Sequence, residues 1–174
     1  MWQATLSWIK DTTPDFWTAA FTCGLLVAAV VSARIAWTQF QHWKRDRTVE
    51  RTLAILDAWF EKQGDSPSPD DCYDELNRSV FGSVSELKAM AITDTKYRTA
   101  RSRFITLHNY FEHALVLAER GIIDLELFLF RQQNIIRSTW LVLKPYYVLF
   151  TAQEGFRFPR MPLEQLDEVL ARSK

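Results

Sequence analysis

Hydrophobic residues fill this chain in two different ways. Residues 16–33, FWTAAFTCGLLVAAVVSA, run for eighteen positions without a charge. With Ile35, Ala36 and Trp37 continuing past Arg34, the stretch approaches the roughly 20 residues that cross a bilayer. From Tyr97 onward the pattern is periodic instead. Tyr97, Ala100, Phe104, Leu107, Phe111, Ala114 and Ala118 recur at helical spacing and stop at Gly121, a preferred helix terminator. Asp124 is placed to cap a following helix, with Ile123 stapled to Phe128 and a buried stripe of Leu125, Phe128, Ile135, Ile136, Thr139, Trp140 and Leu143. Pro145 then kinks that helix or starts a new one running to Glu154, and a last short helix is expected over residues 163–171.

The apolar run reads as a transmembrane helix over residues 14–37. Thr13, Pro14 and Asp15 supply a capping hydroxyl, a proline at the first helical position and an acid in the first turn. Trp17 and Trp37 sit where interfacial aromatics belong, and Arg34 can snorkel to the headgroups. A cleaved signal peptide is the competing reading, but residues 1–15 lack its basic start and set Lys10 against Asp11 and Asp15. A core helix of a soluble domain is the other.

Arg34, Lys44, Arg45, Arg47 and Arg51 follow the run, whereas only Lys10 precedes it. The positive-inside rule therefore places residues 1–13 outside and the bulk of the chain in the cytoplasm, with membrane lipid as its first partner. No ionisable group lies within residues 16–33, which argues against transport by this chain alone. Ala20, Gly24, Ala28 and Ser32 put a small residue at every fourth position of the span. Such a face lets two helices approach closely, so a homo-oligomer is expected.

Neither proline nor glycine interrupts residues 25–63, so the helix is expected to continue as a neck over residues 38–63, docking through Val49, Leu53, Leu56 and Phe60. The proline-rich loop that begins at Gly64 ends it. Residues 64–174 form a cytoplasmic helical domain that opens with weaker elements, a short helix over residues 71–81, a break at Gly82, and another from Ser85. The expected fold is all-α.

Composition adds exclusions. Lysine plus arginine and aspartate plus glutamate number 21 each, which leaves no global field for nucleic acid. Seven tryptophans and twelve phenylalanines with only five glycines suit long helices packed on bulky side chains. Cys23 and Cys72 form neither a disulfide framework nor a metal cluster.

Candidate chemistry is thin. His108 and Glu112, four residues apart, share a helix face, but His113 lies about 140° around the helix from His108, and no further ligands cluster there, so no metal is expected. Glu112 borders the apolar stripe and needs a partner, for which Arg137 or an arginine of the preceding cluster is available. His108, Glu112 and Arg137 are accordingly read as buried polar residues that set register. Lys96, Arg98, Arg101 and Arg103 gather four positive charges within eight residues. They face either a phosphate-bearing ligand or the acidic stretch from Asp57 to Glu75. No nucleophile elbow, phosphate loop, zinc motif or dinucleotide turn occurs, so no catalytic residue and no cofactor is assigned.

Asn109, Phe111, Glu112, Gly121, Ile123, Asp124, Trp140 and Pro145, together with the N-terminal span and basic rod, give the chain a likeness to a known layout. It resembles a bacterial and phage family of small membrane-anchored proteins described as a domain of unknown function, number four-seven-six-zero. The likeness covers about the last two thirds of the chain and implies a layout with a phage-related setting, and no reaction. The expected function is a membrane-tethered interaction module that self-associates and offers a surface to a cytoplasmic protein partner. The alternatives are a ligand-gated, membrane-disrupting effector and a membrane-bound hydrolase using His108 and Glu112.

Overall fold

A computed structural model describes residues 14–62, 66–78, 83–155 and 161–172. The expected outer segment of residues 1–13, part of the proline-rich loop, the break at Gly82 and most of the loop after Gly155 lie outside these. Among the described residues there are six α-helices: α1 Pro14–Asp57, α2 Pro69–Asn77, α3 Val84–Ala89, α4 Thr95–Glu119, α5 Leu125–Glu154 and α6 Pro162–Arg172. The chain divides into two compact units, Met1–Asp46 and Arg47–Lys174.

The first unit is helical throughout its described part, and it holds the one described helix long and apolar enough to cross a membrane, lying near the N-terminus. None of its apolar window is buried, so it is not a core helix of the folded domain. Two of its threonine hydroxyls are satisfied within the helix. Thr22 Oγ1 donates to the Thr18 carbonyl and Thr38 Oγ1 to that of Arg34, each at 2.8 Å, which removes the main obstacle to placing threonine in an apolar medium.

In the second unit α4 and α5 form the centre. Helix α4 packs on α2, α5 and α6, and α5 also meets α2 and α3. Phe104, Leu107, Phe111, Phe128, Ile136, Leu143 and Phe150 build the core between them, closed by Leu163, Leu166 and Leu170 of α6. Four of these helices, α2 to α5, have a side-chain cap at their start. Ser68 and Ser83 each form a capping box, with Asp71 and Glu86 respectively, Pro69 opens α2, and Asp94 caps α4. Gly121 at φ +64° ends α4, with the Ile122 N–H donating to the Leu117 carbonyl and the Gly121 N–H to that of Ala118, both at 2.9 Å. Asp124 caps α5 by accepting from the Leu127 N–H at 3.0 Å, and Ile123 and Phe128 are buried as the expected staple. Pro145 neither ends α5 nor starts another helix, because its ring lies on the exposed side of one continuous helix.

Two expectations for α1 fail. The helix ends at Asp57 rather than near residue 63, and its docking face is rotated from the predicted Val49, Leu53, Leu56, Phe60 row. Phe60 is 67% exposed and Leu53 also faces solvent, whereas Thr52 and Trp59 are buried, with Ile55 and Leu56 against the core. The physical reason is Trp59. Its ring lies 5.2 Å from Tyr110 and 5.6 Å from Phe111, its indole N–H donates to Asp70 Oδ1 at 2.8 Å, and its carbonyl accepts from the Asp70 N–H. A tight turn at residues 58–60 directs the ring inward, and the helix stops.

Two threonines, each with no exposed surface, give opposite expectations. Thr52 Oγ1 accepts from the Asp124 N–H at 2.8 Å and donates to the Thr48 carbonyl at 2.7 Å, whereas the Thr139 hydroxyl has no partner. Thr52→Val strands a backbone donor and should destabilise by about 1–3 kcal/mol, with Thr52→Ser largely tolerated. Thr139→Val removes an unsatisfied group and should stabilise by roughly 1 kcal/mol. Urea unfolding of the full-length protein in detergent, followed by circular dichroism, measures both; the same sign for both variants would contradict this assignment of the two hydroxyls.

Candidate functional site

The predicted polar positions lie along α4, whose buried edge is Tyr97, Ala100, Phe104, Leu107 and Phe111. That edge fixes where the neighbouring charges point. Arg101 Nε donates to both carboxylate oxygens of Glu154, at 2.7 Å each, and the Tyr97 hydroxyl donates to Glu154 Oε1 at 3.1 Å. Glu154 is the last residue of α5, so this clamp ties the start of α4 to the end of α5. Burial, and then the bond to Glu154, push the Tyr97 phenol up to about 12. Arg103 pairs with Glu75 of α2. Two of the four predicted anion-binding residues are thus spent on carboxylates within the domain, while Lys96 and Arg98 remain exposed. Of the two partners weighed for the cluster, the acidic stretch accounts for Arg103; Glu154 was not foreseen.

His108 is buried and stacks on Phe104, with Nε2 3.7 Å from Glu112 Oε2. The predicted Glu112–Arg137 contact does not form. Arg137 lies 3.8 Å from Asp167 of α6 instead, and both Glu112 and Arg137 are half-buried rather than buried. Phe111 and Ala114 take the inner face of α4, which leaves Glu112 on its shoulder beside His108. Burial lowers the His108 pKa and the Glu112 carboxylate pulls it partly back, so the imidazole is neutral at pH 7. Among the described residues no three histidines, cysteines or carboxylates group to hold a metal ion.

One feature escaped the sequence reading. Thr106, Asn109 and His113 form a polar row on α4 that lines a cleft of about 360 Å³, walled by Ser66, Pro67 and Tyr110. The row follows the same three- and four-residue spacing as the core stripe, so its signal was present. It was hidden because the opposite wall comes from the proline-rich loop some forty residues earlier. Chemically the cleft offers hydrogen-bonding groups on one side and apolar surface from Ile55, Ala58 and two prolines on the other. The Thr106 hydroxyl donates to the Ser102 carbonyl and the Tyr110 hydroxyl to that of Ile55, so neither is paired with a base as an activated nucleophile would be. The predicted span residues Ala20, Gly24, Ala28 and Ser32 are all exposed on α1, in the other unit.

The architecture defines a class: an all-helical domain carried on a helix apolar enough to cross a membrane. The family model "Domain of unknown function (DUF4760)" matches residues 26–150, and the chain belongs to that family. The match reaches further toward the N-terminus than the likeness over the last two thirds suggested, and it stops before α6. Searches of curated proteins and of solved structures gave no match. Four of the eight residues that carried the resemblance have folding roles: Phe111 and Ile123 are core, Gly121 terminates α4, and Asp124 caps α5.

His108 generates a pH prediction. Its native pKa lies below the ordinary 6.5, so the native state binds fewer protons than the unfolded state between those two values. Its contribution to stability is complete above about pH 6.5 and is lost as pH falls from there toward the depressed native value. Urea midpoints of the full-length protein should therefore drop between about pH 7 and 5 more steeply than those of His108→Gln; parallel curves would show that His108 does not titrate in this way.

Proposed function

We propose that the protein is a membrane-tethered, non-catalytic helical interaction module. It is anchored in a bacterial inner membrane by α1 with the N-terminus outside, self-associates through its span, and offers the domain of α2–α6 to a cytoplasmic protein partner. The observation that carries this reading is the apolar window of α1, none of which the chain itself buries. A bare helix of that length and composition needs lipid or other helices around it. The basic residues that follow the span, with only Lys10 before it, support the orientation. The binding reading is favoured over a hydrolase because His108 and Glu112 sit at the edge of a packed core and, in the cleft lined by Thr106, Asn109 and His113, the Thr106 and Tyr110 hydroxyls donate to backbone carbonyls.

Orientation is tested by protease protection. A C-terminal epitope should survive protease added to intact bacterial spheroplasts and be lost when they are lysed; digestion in intact spheroplasts would reverse the topology.

Self-association is tested at Gly24. A Cβ built there meets nothing within 4 Å inside the chain, so Gly24→Leu fits the single chain and places a better helix former in α1. Any change in assembly then reports contacts between chains. Mass photometry in nanodiscs should show a defined oligomer for the wild type and dispersal by roughly tenfold or more in dissociation constant for Gly24→Leu, the effect of about 1.4 kcal/mol. A wild-type monomer would reduce the span to a plain tether.

A further inference from the structure

The outward face of α5 is more apolar than a solvated surface requires. Phe130, Leu141 and Val148 are 72%, 74% and 60% exposed, and their spacings of 11 and 18 residues bring all three within about 20° of one line along the helix. Leu141, Pro145, Val148 and Ala152 form one wall of a groove of about 480 Å³, and Val84 of α3 forms part of the other. The floor is held in place by Gln153, whose Nε2 donates to the Lys88 carbonyl at 2.7 Å. Pro145 has no N–H to offer the Leu141 carbonyl one turn earlier, so the proline opens the groove-side backbone without breaking the helix. Among the described residues, the charged ones lining the groove are Lys88 and Lys144, both exposed. Lys144 Nζ lies 5.8 Å over the Trp140 ring, which keeps the ammonium near the surface of the apolar strip.

An apolar trough with two lysines on its described lining is complementary to a molecule with a hydrocarbon part and an anionic part. We infer that this groove seats an anionic phospholipid of the bilayer that anchors the chain, its upper acyl chain against Leu141, Pro145 and Val148 and its phosphate between Lys88 and Lys144. Lysine favours lipid over a protein partner here. Interface hot spots are built on tryptophan, tyrosine and arginine, whereas a flexible aliphatic stem with a hydrated ammonium at its tip is the side chain that snorkels from apolar surface to headgroup phosphates. The tether supplies the rest, since a domain anchored to a bilayer meets lipid at an effective concentration no soluble ligand matches. The inference rests on the membrane-anchored reading above.

The test is amide hydrogen exchange of the full-length protein in nanodiscs of phosphatidylcholine alone and of phosphatidylcholine mixed with phosphatidylglycerol. Exchange in α3 and in residues 139–153 should slow severalfold in the anionic discs. Lys88→Gln with Lys144→Gln should abolish that difference, and the paired arginine substitutions, which keep the charge, should restore it. Each lysine should contribute roughly a fivefold change in lipid affinity. Failure to enter nanodiscs at all would overturn the anchored reading itself. Incorporation with the same exchange in both lipids would overturn the groove assignment alone, as would protection that depends on protein concentration and not on lipid, which would give the groove to a second copy.

Discussion

The helical domain depends on how the end of α1 is held. Thr52, Ile55 and Trp59 lie three and four residues apart, hence on one face, and each makes a different bond. The Thr52 hydroxyl accepts from the Asp124 N–H at the corner between α4 and α5, the Ile55 carbonyl accepts from the Tyr110 hydroxyl of α4, and the Trp59 indole donates to Asp70 of α2. Three of the domain's helices are thereby referenced to one short face. Trp59 adds the largest apolar contribution, because a fully buried tryptophan removes far more surface from water than the leucines around it. Its need for a hydrogen-bond acceptor is what brings α2 into place, since burying the indole without Asp70 would leave a donor unsatisfied.

The same arrangement explains what the sequence could and could not reveal. Periodicity and capping chemistry are local, and they found α4, its glycine stop, the Asp124 cap and the staple into α5 within a few residues. They missed the docking face of α1, because Val49, Leu53, Leu56 and Phe60 look like a better apolar row than Thr52, Ile55, Leu56 and Trp59 when hydrophobicity alone is scored. A buried threonine is favourable only once the Asp124 N–H is known to face it, and that donor is 72 residues away. Pairing of charges is equally non-local. Glu112 had several candidate arginines by sequence, yet Arg101 is taken by Glu154, Arg103 by Glu75 and Arg137 by Asp167, each choice fixed by which helix happens to be adjacent. Pro145 was read as a kink or as the start of a new helix, and α5 runs through it as one helix from Leu125 to Glu154, so no new helix starts there.

The basic run on α4 illustrates how a charge cluster can look functional and serve largely as structure. Arg101 and Arg103 lie two residues apart and project to different neighbours, one to the end of α5 and one to α2. Each is partly shielded, so each pairing is worth more than an exposed surface bridge and less than a buried one would suggest. A phosphate arriving there would have to displace both carboxylates, leaving Glu154 without Arg101 beside a buried Tyr97. Among the described residues the exposed lysines beside the apolar face of α5 form no carboxylate pair, and Lys144 lies over the Trp140 ring.

Interior electrostatics point the same way. Burial raises the thiol of Cys72 and the phenols of Tyr97, Tyr110 and Tyr146, and lowers the imidazole of His108. Every one of these shifts favours the neutral form, the behaviour of groups enclosed for packing. Acid–base sites can also keep a buried group neutral, but they set beside it a second group whose environment pushes its pKa the other way. The apolar face of α5 and the exposed apolar window of α1 are the places where a further contact would remove the most visible apolar surface from water.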